Sequence, residues 1–139
     1  MTAEKAPLIM LVEDHPDDEF LALRILARNG FTNTAVARNG IEALDLLHRM
    51  EENRDGLVLP SLILLDMKLP MKNGIEILEH IRRNPATAKI PVISLSSSTD
   101  PRENASCCEL GVICALVKPL TTTKLQEALQ QIKPASSED

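Results

Sequence analysis

The sequence is poor in aromatic residues: its 139 residues include two phenylalanines and no tyrosine or tryptophan. Proteins that bind single-stranded nucleic acid stack bases on aromatic rings, and this chain lacks such a platform. The formal net charge of −5 also disfavours contact with a phosphate backbone. Direct DNA binding is therefore not expected.

Long apolar runs are missing as well, since no window reaches the ~20 apolar residues that span a bilayer. The N-terminal residues 1–7 lack the positively charged and apolar regions of a signal peptide. The three cysteines, Cys107, Cys108 and Cys114, have the spacing of neither a metal site nor a disulfide framework. These absences predict a cytoplasmic protein that does not enter membranes.

What the sequence does contain is an alternation of apolar strands and amphipathic helices, repeated five times. The predicted strands cover residues 8–12, 34–37, 62–66, 91–95 and 113–117. Five β-α units predict a flavodoxin-like, doubly wound α/β fold with a parallel five-stranded sheet in the order 2-1-3-4-5. The expected domain spans residues 7–133, between an N-terminal tail (1–6) and a disordered C-terminal tail (134–139), with no output domain.

Helical periodicity predicts which side chains face the core. The inward positions predicted for the first, second and fourth helices are Phe20, Leu23, Leu26 and Ala27; Ile41, Leu44 and Leu47; and Ala105, Cys108 and Leu110. The fourth helix has the weakest apolar face, so we expect it to be held less firmly than its neighbours.

Polar residues follow four of the five strands. They are Glu13, Asp14, Asp66, Ser96, Ser97, Lys118 and Pro119. Strands one and three are neighbours in the predicted order, so three carboxylates should meet at one edge of the sheet. Two unit charges 4 Å apart repel by about 4 kcal/mol at an effective dielectric constant of 20. Either the carboxyl pKa values rise or a cation binds there, and an all-oxygen ligand set suits Mg²⁺.

A metal ion, a lysine and a hydroxyl around one carboxylate form a site suited to phosphoryl transfer. Asp66, at the end of a buried strand, is the candidate nucleophile. Lys118 and the hydroxyl of Ser96 would contact the charged oxygens of the transferred group. The product would be an acyl phosphate on Asp66.

In this order and spacing, the strand-end motifs resemble the receiver domains of two-component response regulators. The motifs are Val12–Asp14, Leu65–Pro70, Leu95–Ser97 and Val117–Pro119. The resemblance extends over residues 7–133. It implies a signalling phosphoprotein that catalyses only its own phosphorylation and dephosphorylation, and that signals through a changed surface or dimer.

The resemblance implies that Asp66 accepts its phosphoryl group from a phosphohistidine of a sensor histidine kinase. It implies direct Mg²⁺ ligands from Asp14, Asp66 and the backbone carbonyl of Lys68. Glu13 would hold a metal-bound water, and Mn²⁺ or Ca²⁺ could substitute for Mg²⁺ in the site.

The resemblance also assigns Ser96 as the switch hydroxyl and Lys118 as the partner of the phosphoryl oxygens, with a cis bond between Lys118 and Pro119. Two positions depart from the family. Ala115 stands where an aromatic residue often reports phosphorylation, so the signal should travel through loop and fourth-helix movement. Ser97 replaces a usual alanine or glycine beside the phosphoryl group.

The polar segment 49–59 resembles the stand-alone receivers that partner bacterial phytochrome kinases. The resemblance implies kinase docking beside the first helix, near Asp14 and Phe20. It also implies a homodimer through the fourth helix, the fifth strand and the fifth helix.

Three alternatives belong to other classes. An aspartate-nucleophile phosphatase would need a second carboxylate where Lys68 stands. A flavin-binding module would need a glycine- and hydroxyl-rich phosphate loop, whereas residues 13–18 are acidic and would repel a phosphate. A receiver-like interaction module that is never phosphorylated is the third alternative. Incubation with a small phosphodonor distinguishes it from a phosphoacceptor.

Overall fold

The structure is a computed structural model that describes residues 7–69, 73–97 and 100–132. The elements are β1 (Ile9–Val12), α1 (Pro16–Arg28), β2 (Thr34–Ala37), α2 (Gly40–Glu51), a 3₁₀ turn (Arg54–Gly56), β3 (Leu62–Asp66), α3 (Gly74–Arg83), β4 (Val92–Ser96), α4 (Pro101–Glu109), β5 (Cys114–Val117) and α5 (Thr122–Gln130). The tails predicted at 1–6 and 134–139 lie outside the described residues.

The five strands form one parallel sheet in the order β2-β1-β3-β4-β5. The predicted fold class and strand order are confirmed. The predicted bounds of β2 and β3 agree residue for residue, β1 and β5 begin one residue later than predicted, and β4 is shifted by one residue at both ends. β1, β3 and β4 are buried along their whole length, as their unbroken apolar runs predict.

Alternate side chains of β1 enter two separate apolar layers. Met10 and Val12 lie in a cluster with the inward residues of α2 and α3, such as Leu47. Ile9 and Leu11 lie in the opposite cluster with those of α1 and α5. The sheet is therefore covered on both faces, and the ends of its strands are where a ligand can reach side chains of the sheet. In the described part of the chain, no helix is both long and apolar enough to cross a membrane.

The predicted inward face of α1 is partly wrong. Phe20 is 64% exposed, and Ala27 is also exposed. The buried residues are Ala22 and Leu26, one helical turn apart, while Leu23 is half-buried. A small side chain such as alanine lets the helix approach the sheet closely, and this places the larger ring of Phe20 on the outside.

Similar corrections apply to α2 and α4. Ile41 is 52% exposed, and Ala43 takes its place in the core. In α4, Ala105 and Cys108 are exposed, and Cys107 is the buried side chain. One residue corresponds to about 100° of rotation in a helix, so a one-residue error in phase turns a side chain from core to solvent.

The turn into α3 is held by two local features. Asn73 and Glu76 form a reciprocal capping box, in which each side chain accepts a hydrogen bond from the other's backbone N–H at 3.0 Å. Gly74 lies so close to Met67 that a Cβ atom on it would fall 2.6 Å from the Met67 Cα. Only glycine fits there, so α3 packs tightly against the loop that follows β3.

Arg82, near the end of α3, ties together the loops at the opposite edge of the sheet. Its half-buried guanidinium donates hydrogen bonds to the carbonyl oxygens of Ala88 (2.9 Å) and Ile90 (2.8 Å). It also donates to the carbonyls of Leu110 (2.7 Å) and Gly111 (3.2 Å), directly after α4. One side chain thus joins the end of α3 to the end of α4.

Candidate functional site

The register of the sheet aligns the polar residues at its carboxyl edge. Val12 of β1 pairs with Leu65 of β3, so the next residues, Glu13 and Asp66, are neighbours. On the other side of β3, Asp66 pairs with Leu95 of β4. Because the strands are parallel, the residues that follow them meet in one place.

Three carboxylates come together at this edge, as the strand order predicts. Glu13, Asp14 and Asp66 each offer an oxygen, and these oxygens lie within 4.8 Å of one another. Glu13 and Asp66 are 1% and 3% exposed, whereas Asp14 is open to solvent. Two buried carboxylates next to a third, open one form an acidic pocket that solutes reach from one side.

Lys118 is the positive charge of the pocket, and its side chain is 15% exposed. Its Nζ lies 3.0 Å from Oε1 of Glu13 and 3.2 Å from Oδ2 of Asp66. It also donates a hydrogen bond of 3.0 Å to Oδ2 of Asp18 in the first turn of α1. Asp18 could not be identified from the sequence. It is the third residue of a helix, and its position in the sequence does not indicate that its side chain contacts Lys118.

Burial raises the pKa of Glu13 to about 7, and the charge of Asp66 adds to this while the hydrogen bond from Lys118 opposes it. Burial lowers the pKa of Lys118, but the hydrogen bonds to Asp18 and Glu13 and the charge of Asp66 outweigh it and raise that pKa above its usual value. The lysine is therefore firmly charged, and Glu13 titrates near neutral pH.

The other predicted residues surround this group. Ser96 is buried at the end of β4, and its carbonyl accepts the backbone N–H of Lys118 at 2.7 Å. The bond between Lys118 and Pro119 is cis. Ser97 and Ala115 are exposed. The strand-end residues thus share the edge, whereas Ala115 presents its methyl group to solvent.

Lys68 has an exposed side chain, and its backbone N–H donates a 3.0 Å hydrogen bond to Oδ1 of Asp66. This contact fixes one oxygen of Asp66, while Lys118 contacts the other. A surface cavity of about 600 Å³ opens beside Lys68 and Asp14. It gives a solute an open path to the acidic pocket.

The residues fit a hard divalent cation. All three donors are carboxylate oxygens, the ligand type preferred by Mg²⁺. Oε1 of Glu13 is buried and, among the described residues, accepts no hydrogen bond even though Nζ of Lys118 is near. A buried carboxylate oxygen without a donor is costly unless another positive partner satisfies it, and a cation or its water would do so.

A doubly wound sheet with an acidic pocket and a lysine at its carboxyl edge fits the class of receiver-type signalling domains. The receiver domain family of response regulators matches residues 9–130. The chain belongs to this family. Receiver domains of two-component systems are phosphorylated on an aspartate.

The relatives that match nearly the whole chain include two regulatory proteins of similar length. The "Probable methanogenesis regulatory protein FilR2" of Methanothrix harundinacea is 36% identical, over 96% of this chain and 85% of the relative. The response regulator Rcp1 of Synechocystis is 33% identical, over 96% of this chain and 92% of Rcp1.

Solved structures with similar folds include phytochrome response regulators. The bacteriophytochrome response regulator RtBRR superposes with a TM-score of 0.81 at 36% identity, covering 94% of this chain and 81% of RtBRR. The phosphorylated cyanobacterial phytochrome response regulator RcpA gives a TM-score of 0.76 at 32% identity, with 89% of each chain covered. The Mn²⁺-bound form of Rcp1 gives 0.72 at 33%, also with 89% of each covered.

Proposed function

We propose that this chain is a response regulator whose Asp66 accepts a phosphoryl group from the phosphohistidine of a sensor kinase. The observation that carries the proposal is the contact between Asp66 and Lys118 at 3.2 Å inside a group of three carboxylates. A phosphoaccepting aspartate needs such a lysine, because the transferred group carries its charge on oxygens that require a fixed cation.

In the transfer, an oxygen of the Asp66 carboxylate attacks phosphorus as the P–N bond to the donor histidine breaks. The bonding electrons leave with the imidazole. Lys118 donates hydrogen bonds to the phosphoryl oxygens, and the hydroxyl of Ser96 approaches the same group as the switch. The exposed Ser97 lies at the entrance and affects access of water to the phosphoryl group.

The proposal includes an Mg²⁺ ion held by Asp14, Asp66 and the carbonyl of Lys68, with Glu13 holding a bound water. Mg²⁺ supplies positive charge to the oxygens of the transferred group when it is bound. The Mn²⁺-bound form of the relative Rcp1 supports this, and Mn²⁺ or Ca²⁺ could take the same place.

Intact-mass measurement after incubation with Mg²⁺ and acetyl phosphate tests the proposal. We expect one added phosphoryl group in the parent protein, and none in Asp66→Asn or without Mg²⁺. Asp45→Asn is the matched control, since Asp45 is exposed on α2 and pairs with Arg49. An unchanged parent mass would instead favour a receiver-like module that works without phosphorylation.

We propose a bacteriophytochrome-type histidine kinase as the physiological donor, because phytochrome response regulators are among the similar structures. The kinase would dock beside α1, where Phe20 and Leu21 expose 64% and 40% of their surface near Asp14. This donor uses ATP, which implies a cytoplasmic location. Phosphoryl transfer from an autophosphorylated bacteriophytochrome kinase, compared with an unrelated histidine kinase, tests the pairing.

We further propose that phosphorylation strengthens a homodimer through α4, β5 and α5. The exposed Cys108 and Ala115 mark this as a face with side chains available for contact. Light scattering with and without Mg²⁺ and beryllofluoride, a phosphoryl mimic, measures the change in mass. A mass that stays the same with the mimic would contradict the dimer and leave the phosphoacceptor proposal standing.

A further inference from the structure

Glu103 lies in the first turn of α4 and lines the same cavity of about 600 Å³ as Lys68 and Asp14. One of its carboxylate oxygens, Oε1, is buried and accepts no hydrogen bond from the residues that the structure describes. None of the ion pairs between described residues includes Glu103. Within the described part of the chain, no neighbouring group therefore balances this carboxylate.

An unbalanced carboxylate in the wall of a cavity acts on whatever enters. It attracts cations and N–H donors and repels anions, and the low dielectric constant of the protein wall strengthens both effects. The lining of this cavity has one positive side chain, Lys68, and two negative ones, Asp14 and Glu103. A solute in the cavity is therefore favoured or disfavoured according to its charge.

The part of a phosphodonor that would meet Glu103 is its leaving group. In phosphoryl transfer, the attacking and leaving atoms lie roughly in line on opposite sides of phosphorus. Asp66 is buried at the end of β3, so attack by its carboxylate directs the leaving group outward, away from the sheet. The cavity that Glu103 lines provides open space beside Asp14 and Lys68 for that group.

We propose that Glu103 is a specificity-determining residue that favours phosphodonors with a nitrogen leaving group over donors with an anionic oxygen leaving group. This inference rests on the proposed phosphorylation of Asp66. In both reactions an Asp66 oxygen forms the new bond to phosphorus.

The two classes of donor differ in the bond that breaks. When a P–N bond breaks, the nitrogen keeps the bonding pair and leaves as a neutral amine or imidazole, whose N–H can donate to Glu103. When the P–O bond of acetyl phosphate breaks, acetate leaves with a full negative charge, which the carboxylate of Glu103 repels. A phosphohistidine belongs to the first class, so Glu103 would favour it over anionic small donors.

Initial rates of phosphorylation with two small donors test this inference. Phosphoramidate has a P–N bond and acetyl phosphate a P–O bond, and intact mass at saturating Mg²⁺ follows both reactions in the parent, Glu103→Gln and Glu109→Gln. Glu109 is the matched control, because it lies on the same helix, is exposed and undergoes the same charge change. The ratio of the acetyl phosphate rate to the phosphoramidate rate should rise about threefold in Glu103→Gln. It should keep the parent value in Glu109→Gln.

The ratio of rates separates donor choice from a merely structural role, since a loss of folded protein lowers both rates together. Glu103→Asp keeps the charge and should restore most of the parent ratio. An unchanged or lower ratio in Glu103→Gln overturns the inference, as does an equal rise in Glu109→Gln or in Glu103→Asp. If neither donor adds mass to the parent, the proposed function itself fails, and the inference fails with it.

Discussion

The acidic pocket and the α4–β5 face lie on either side of β4 and are built very differently. In the pocket, buried charges are held in fixed contacts, with Lys118 bound to three carboxylates. Within α4, all of which is described, Cys107 is the one buried side chain, and no residue of β5 is fully buried. The pocket is thus held by several charged contacts, whereas the α4–β5 face is held by few apolar contacts.

The largest expected effect in this comparison comes from removing Lys118, the positively charged side chain of the pocket. Lys118→Ala should fold but lose about 4 kcal/mol of unfolding free energy at pH 8, because two buried carboxylates lose their positive partner. Urea denaturation measures this loss. Lys124→Ala is the control, since Nζ of Lys124 donates to the backbone carbonyls of Val117 and Pro119 rather than to a carboxylate of the pocket. An equal loss in the two variants would show that the pocket is not specially dependent on Lys118.

The second expected effect is a pH dependence of the protein's stability that comes from the pocket, through Glu13. The pKa of Glu13 is raised to about 7 in the folded protein from 4.5. Between these values the folded state binds a proton that the unfolded state does not, so stability falls as pH rises through this window. The raised pKa corresponds to about 3 kcal/mol of lost stability above pH 7.

Glu13→Gln isolates this effect, because the amide has the same shape and does not titrate. In chelator-treated protein, the parent should lose stability relative to the variant as the pH rises from about 4.5 to 7. Urea unfolding at several pH values measures the difference. Parallel pH profiles for the two proteins would mean that Glu13 is not protonated in the folded state.

The smallest expected effect is on the α4 side. Cys107→Ala should cost about 1 kcal/mol, since little volume is removed from a thinly packed helix. Ile81→Ala in α3, whose side chain is fully buried, is the contrast and should cost about 3 kcal/mol. Similar losses for both would show that α4 is packed as firmly as α3.

The fold and the carboxylate cluster could be predicted because they depend on short patterns. An unbroken apolar run such as Leu62–Leu65 identifies a buried strand, and the strand order then places Glu13 beside Asp66. Two neighbouring strands determine the cluster, and no side-chain detail is needed.

Two features could not be predicted in the same way: which side of a helix faces the core, and which side chains distant in sequence come into contact. Phe20 and Ile41 fit an apolar stripe, yet both face solvent because Ala22 and Ala43 take the contact with the core. The contact of Asp18 with Lys118, 100 residues later, depends on how α1 lies against the sheet. The spacing of residues along the sequence does not indicate how α1 is oriented on the sheet.

Arg82 leaves the two ends of α4 unequally held. It donates hydrogen bonds to the carbonyls of Leu110 and Gly111, and these join the C-terminal end of α4 to the end of α3, far from the pocket. The opposite end of α4 begins at Pro101, soon after β4 delivers Ser96 to the pocket. A small displacement at the pocket would therefore move the N-terminal turn of α4 most and its C-terminal end least. The α4–β5 face would then change its angle to the sheet rather than shift as a whole.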